Sequence, residues 1–245
     1  MPENAPPLVV LHDDGALVAV VKPAGEPVIP ARGEPLGDCV QKRLERQLGC
    51  RVFVVHRIDR DASGVVVFAL DASAHRAASL AFEQRRVDKE YLAFVAGTIE
   101  PSEGRLDTPL HAARKGKTRP AADGEPGAQP AVTDYTTRRR WALAGRAVCL
   151  IEARPHTGRH HQIRVHLRAA GAPILFDPLY GRGRMPEALG GAPCARLALH
   201  AQRIELPAPV GTSRLAISAP LAPDLEALAA WLHAHARAED DVRVG

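Results

Sequence analysis

The chain has 245 residues, 46% hydrophobic content and only 4% aromatic residues, so it can bury a largely aliphatic core that needs no disulfide or metal. A formal net charge of +4 favours a polyanionic partner. No apolar run reaches the ~18–20 residues of a membrane span. Four widely spaced cysteines, with no CxxC pair and no secretory segment, predict a soluble chain in the reducing cytoplasm.

The first fifty residues predict two strands and a helix. Residues 1–7 are proline-rich and are expected to be loose. The apolar runs between Leu8 and Pro23 predict two strands that turn at Asp13, Asp14 and Gly15. Apolar residues four apart then predict an amphipathic helix over Leu36–Leu48.

The stretch Val52–Leu70, VFVVHRIDRDASGVVVFAL, predicts a strand, a charged loop and a second strand. The β-branched runs suit a buried sheet, which would hold the polar loop rigidly. Polar loops on rigid scaffolds are common active sites. The residues alone leave open an ordinary strand connection with exposed ion pairs worth ~0–1 kcal/mol each.

The middle of the chain predicts a helix, several strands and one long loop. Helical spacing over Ser73–Arg86 is followed by the strand pattern VDKEYLAFVAG, which contains Tyr91. Arg114–Ala131 lacks periodicity and is rich in Pro, Gly and Ala, so it predicts a mobile loop whose basic start either contacts RNA or is simply solvated. Alternation predicts strands at Val132–Arg140 and Ala147–Ala153.

The last third begins with a basic helix. A short helix around Ile163 and Leu167 should end at Gly171 and Pro173. Its N-terminus follows Thr157 and Gly158 and is crowded with basic groups, which favours an anion site. The remaining pattern predicts strands at Arg196–Leu206 and Leu215–Ser218 and a helix from Asp224 to about Ala238.

Three long motifs occur in order: HRIDRDASG from His56, KEYLAFVAG from Lys89, and HTGRHHQIRVHL with GAPILFDPLYG between His156 and Gly181. Together with RLALHAQRI from Arg196, they resemble the signature blocks of the RluA-type pseudouridine synthases. The resemblance spans roughly residues 8–220, and several ordered motifs are far more specific than one short pattern. The sequence departs from the family pattern with Ala62 for Thr, Phe176 for Gly, and Pro178.

The resemblance implies an α+β fold: one catalytic domain over residues 1–245, with a mixed, mostly antiparallel sheet, flanking helices and a central RNA-binding cleft. No N-terminal S4 domain is expected. The implied activity is isomerisation of a specific uridine in tRNA and/or 23S rRNA to pseudouridine. We expect a monomer that has RNA, and no membrane, as its partner and that needs no metal or other cofactor.

The resemblance also implies roles for individual residues. Asp59 would be the catalytic nucleophile, Arg164 would pair with it, and Tyr91 would stack on the base and help to remove the C5 proton. Substrate binding would fall to Arg57, which would occupy the space of the flipped nucleotide or hold its phosphate, and to Leu199 as a hydrophobic wall of the pocket. The basic face of the short helix adds Arg159 and Arg168 as substrate-binding candidates. His56 and His161 would bind substrate or support the motif loops through hydrogen bonds.

Three alternatives remain open at this point. A metal site could be built from the motif histidines His156, His160, His161, His166 and His200, although no HExxH motif occurs and arginines lie between them. A non-catalytic RNA-binding protein of the same fold would not need Asp59. A metal-dependent nuclease would shorten its RNA, whereas isomerisation conserves mass.

Overall fold

The computed structural model describes residues 6–30, 39–181, 189–208 and 213–238. Residues 1–5 of the segment predicted to be loose, and residues 36–38 of the first predicted helix, lie outside the described residues. The chain divides into two compact units, Met1–Lys89 with Ala201–Pro220, and Glu90–His200 with Leu221–Gly245.

The strands, in chain order, are β1 Val10–Asp13, β2 Leu17–Lys22, β3 Phe53–Val54, β4 Ser63–Ala69, β5 Asp88–Ala96, β6 Glu103–Leu106, β7 Leu110–Ala113, β8 Lys117–Pro120, β9 Thr133–Leu143, β10 Arg146–Pro155, β11 Leu199–Pro207, β12 Arg214–Ser218 and β13 Arg237–Ala238. The helices are α1 Val40–Leu48, α2 Ala72–Glu83, α3 Gln162–Ala169 and α4 Pro223–His235, and a 3-10 turn covers Arg114–Gly116.

The first unit is a sheet in the order β1-β2-β4-β11, with β3 on β4 and β12 on β11. The turn between β1 and β2 forms because the Asp14 carboxylate accepts the N–H groups of Ala16 and Leu17. All of β4 is buried, as its unbroken apolar run predicts. Helix α1 packs Val40 and Leu44 into the same core.

The second unit is a sheet in the order β5-β10-β9-β13, and β6 also pairs with β9. Strand β10 pairs antiparallel with both β5 and β9. Its core includes Phe94 and Trp141, whose ring centroids are 6.1 Å apart, and α4 buries Leu225, Leu228 and Leu232. The α+β class with a mostly antiparallel sheet is confirmed.

The prediction that residues 114–131 lack regular structure is wrong for the first part of that segment. Strands β7 and β8 form an antiparallel hairpin, and Leu110 bridges Gln129 further on. The hairpin also makes a contact distant in sequence, because the Thr118 N–H donates to the Tyr180 hydroxyl at 2.8 Å. No local periodicity could reveal such a contact.

Helix α4 ends at His235, three residues before the predicted end, because Arg237 and Ala238 pair with β9. No described helix is long and apolar enough to cross a membrane.

Candidate active site

The loop between β3 and β4 carries Asp59, and a buried lysine holds it in place. The Lys22 ammonium, at the end of β2, donates to the carbonyls of Pro23, Glu26 and Arg60 at 2.6, 2.7 and 2.8 Å. The Gly25 N–H also donates to the Arg60 carbonyl at 2.9 Å. These bonds fix the backbone one residue after Asp59.

His56 supports the same loop from its other end. Its Nε2 accepts the N–H of Val67 on β4 at 3.0 Å, and its ring stacks on Phe82 with centroids 4.8 Å apart. Burial, with a smaller contribution from the charge of Lys89, lowers the pKa of His56 to about 3. The imidazole is therefore neutral near pH 7, and its predicted contact with RNA stays a prediction.

The loop presents charged groups toward solvent. Arg57 is exposed and Asp59 is partly buried, so a macromolecular substrate can reach both. The Asp59 carbonyl accepts the N–H of Ala62, which closes a tight turn. On β5, burial lowers the pKa of Lys89 to about 8.

In the second unit, Arg164 forms a bidentate pair with Asp177. Nε and Nη2 of Arg164 each donate to a carboxylate oxygen of Asp177 at 2.8 Å, and both side chains are almost completely buried. Burial raises the pKa of Asp177, but Arg164 and the N–H groups of Leu179 and Tyr180 outweigh that effect and lower it overall. The predicted pairing of Arg164 with Asp59 stays a prediction.

Tyr180 connects several of the predicted basic residues. Its ring lies under the guanidinium groups of Arg164 and Arg168, at 5.1 and 6.0 Å from ring centroid to Cζ. Its hydroxyl is 2.9 Å from Nδ1 of His161. The structure thus brings Arg164, Arg168 and His161 together around one aromatic ring that the sequence analysis did not single out.

Gln162 is a second residue that sequence reasoning missed. Its Oε1 accepts from the Thr157 hydroxyl and the Arg159 N–H. Its Nε2 donates to the Val132 carbonyl and the Thr133 hydroxyl. A buried amide with every hydrogen-bonding position occupied fixes the start of α3 firmly. The signal was available, because Thr157 and Gln162 stand together in the motif TGRHHQ.

The other predicted residues lie on separate elements of the structure. Tyr91 is partly buried on β5, opposite Ala153 of β10. Leu199 is buried at the start of β11. Arg159 is partly buried and donates to the Pro130 carbonyl, whereas Arg168 is exposed at the end of α3.

The histidines considered as metal ligands have other partners. His166 is bonded to Thr133 and to the Thr108 carbonyl, and burial lowers its pKa. His160 and His161 stack with centroids 3.7 Å apart. Over the described ranges, no group of three His, Cys, Asp or Glu side chains is placed to hold a metal ion.

Known proteins share both the sequence and the fold. Residues 16–169 match the family model described as RNA pseudouridylate synthase. The chain is 36% identical to the dual-specificity RNA pseudouridine synthase RluA of Escherichia coli (strain K12), covering 89% of this chain and 95% of the relative. It is 36% identical to ribosomal large subunit pseudouridine synthase D of Xanthomonas campestris pv. campestris, covering 91% and 68%. It is 35% identical to tRNA pseudouridine synthase C of Haemophilus influenzae, covering 87% and 93%.

Among solved structures, human RNA pseudouridylate synthase domain containing 4 aligns with a TM-score of 0.74 and 26% identity, covering 92% of this chain and 93% of that one. Sequence and structure therefore define an RNA-modifying isomerase. The chain belongs to the RNA pseudouridylate synthase family, in its RluA-type branch, and converts uridine in RNA to pseudouridine.

Proposed function

We propose that Asp59 is the catalytic carboxylate and that the target uridine lies in tRNA, in 23S rRNA or in both. The assignment of Asp59 is supported by the fixed backbone next to it. The buried Lys22 ammonium donates to the carbonyl of Arg60, the residue after Asp59. A catalytic group needs such preorganisation, and Asp59 combines it with partial exposure.

The reaction balances without a redox partner. The bond from N1 of uracil to C1′ of ribose breaks, the base turns, and C5 bonds to C1′. C5 then loses a proton, and N1 gains one. The Asp59 carboxylate can form a transient ester with the sugar or the base during this sequence. A target base inside a helix must first be extruded to be reached.

Arg164 has the geometry to orient an acid. Asp177 engages two of the five N–H donors of the guanidinium and so sets its orientation. The planar fork of a guanidinium matches the geometry of a carboxylate, and we propose that Arg164 also orients the carboxylate of Asp59. Tyr91 would stack on the uracil and help to remove the C5 proton, and Leu199 would form the pocket wall. Arg57 would occupy the space of the flipped nucleotide or hold its phosphate.

The RNA class is proposed from the relatives. Their names include a ribosomal large subunit enzyme, a tRNA enzyme and a dual-specificity enzyme. We also propose that the enzyme works as a monomer in the cytoplasm, and the absence of disulfides among its described cysteines is consistent with a reducing compartment. Pseudouridine mapping by carbodiimide-dependent reverse-transcriptase stops in a deletion strain would identify the uridine.

The catalytic proposal is tested by replacing two acids of one loop. Asp59→Asn should abolish tritium release from C5-labelled uridine in RNA, while thermal melting and filter binding stay near wild type. Asp61→Asn is the matched control, because Asp61 is partly buried in the same loop, and it should retain turnover. Tritium release by Asp59→Asn would refute the proposed nucleophile.

The length of the RNA product distinguishes a pseudouridine synthase from a nuclease. A pseudouridine synthase leaves the RNA at full length, and chelation by EDTA should not change the rate. Shortened RNA and loss of activity with EDTA would instead indicate a metal-dependent nuclease.

A further inference from the structure

Phe176 has a backbone conformation that disfavours side chains. Its φ is +57°, in the left-handed region, where a Cβ meets the following carbonyl oxygen and glycine is strongly preferred. Strain of this kind is kept when surrounding structure enforces it, and it concentrates at functional sites. A bulky aromatic residue at this position therefore requires an explanation.

The residues on either side of Phe176 are firmly anchored. Leu175 is fully buried, its N–H donates to the Phe94 carbonyl at 2.8 Å, and its carbonyl accepts from Ala198 at 3.1 Å. Asp177 is buried and holds Arg164. Phe176 between them is only partly buried. The left-handed turn thus leaves part of its side chain accessible.

The other phenylalanines have clear packing roles. Phe68 is fully buried in the core of the first unit. Phe53, Phe82 and Phe94 stack on His75, His56 and Trp141. In the part of the chain that the structure describes, Phe176 has no such ring partner, and its partial exposure leaves part of the side chain open to a ligand.

We propose that Phe176 is a base-stacking residue that receives an unpaired RNA base beside the target uridine. Extrusion of a uridine interrupts the stack and leaves neighbouring bases with exposed faces. Aromatic side chains bind such faces with little regard to sequence. The position fits this role because the next residue, Asp177, holds Arg164 by two hydrogen bonds. The inference rests on the proposed function insofar as Arg164 belongs to the active site.

The test compares the RNA affinity of variants with and without an aromatic ring at position 176. Filter binding would use a transcript that the wild-type enzyme modifies, at a temperature where melting curves show every variant folded. Phe176→Leu and Phe176→Gly should weaken binding by about 5- to 150-fold, the range for loss of one stacked base. Phe176→Tyr should bind within about 3-fold of wild type, because it keeps the ring. The effect on KM should exceed the effect on kcat.

Ala144→Gly is the control for backbone strain. Ala144 has a φ of +49° in the turn between β9 and β10 and is exposed. Any change in melting temperature there reports relief of strain and added chain entropy alone, and RNA affinity should not change. Equal affinity of wild type and Phe176→Leu would overturn the proposal. The proposal would also be overturned if RNA affinity fell in proportion to the melting temperature and Phe176→Tyr bound RNA as weakly as Phe176→Gly.

Binding measurements keep this inference separate from the proposed nucleophile. The same Phe176 substitutions in the Asp59→Asn background should reproduce the affinity differences, because stacking does not require turnover. If Asp59→Asn proves active, the assignment of Asp59 as the nucleophile is wrong. The stacking role of Phe176 is still decided by the measured RNA affinities.

Discussion

Arg164 and Asp177 form a buried, bidentate ion pair inside one unit of the protein. Two parallel hydrogen bonds of 2.8 Å join them, and the side chains are only 2% and 1% exposed. Such a pair fixes the plane of the guanidinium as well as its position. The orientation of a residue proposed to act on Asp59 is therefore set by a second aspartate, 13 positions further along the chain.

Breaking this pair should be costly. Asp177→Asn removes the negative charge from this buried pair, so the free energy of unfolding should fall by about 3–5 kcal/mol. Asp134→Asn is the control, because its bond to Arg105 is exposed and such pairs are worth ~0–1 kcal/mol. Urea unfolding would measure both, and equal losses would contradict this account.

His56 should make stability fall in mild acid. Its pKa is about 3 in the fold against an ordinary value of 6.5, so the unfolded chain binds more protons between these values. Stability must then decrease as pH falls through that window. Between pH 6.5 and about pH 4.5 the loss should be on the order of 1–2 kcal/mol.

His56→Gln should make this pH dependence shallower, while His166, whose pKa is also lowered, should maintain a part of it. His235→Gln, on an exposed part of α4, should leave the slope unchanged. Urea unfolding at several pH values checks the prediction. An identical slope in wild type and His56→Gln would show that the His56 imidazole is not responsible.

Gly64, at the start of β4, should not tolerate a side chain. A Cβ there would lie 2.5 Å from the backbone nitrogen of Ala201 and closer still to its carbonyl oxygen, and φ is +122°. Gly64→Ala should therefore abolish folding or lower the melting temperature sharply. Gly145→Ala has a φ of +77° but open space around its Cβ, so it isolates the backbone penalty. Similar melting temperatures for the two variants would refute a steric cause.

Two substitutions of Tyr91 distinguish a stacking role from a role in proton transfer. Tyr91→Phe keeps the aromatic face and removes the hydroxyl, so turnover should fall while RNA affinity is retained. Tyr91→Ala should lose about 1–3 kcal/mol of binding as well. Tritium release and filter binding measure the two effects. Full activity of Tyr91→Phe would leave stacking as the role of this residue, and full activity of Tyr91→Ala would exclude both roles.

RNA binding should weaken with salt in proportion to the phosphate contacts. Replacing exposed Arg57 or Arg168 by Gln should reduce the slope of log affinity against log salt by up to about one each. Arg146→Gln, an exposed arginine at the start of β10, is the control and should keep the wild-type slope. Salt-independent binding would contradict phosphate contacts altogether.

Local patterns in the chain predict much of this fold. The buried strand β4, the amphipathic helix α1 and the turn at Asp14 follow from residue spacing, because hydrophobic periodicity and turn chemistry act over a few residues. The motifs around Asp59 and Arg164 also indicate the family directly. Strands β6, β7, β8 and β13 were missed, since short strands of mixed composition depend on partners elsewhere in the chain.

The partners of the buried polar groups depend on tertiary structure. The pairing of Arg164 with Asp59 stays a prediction, and the structure adds a bidentate contact of Arg164 with Asp177 that sets its orientation. Lys22 gave no functional signal, yet its ammonium holds the backbone beside Asp59. A buried charge must be satisfied by whichever groups the fold brings within about 3 Å. Residue types and short spacings therefore reveal which chemistry is present, whereas packing of distant segments decides which atoms meet.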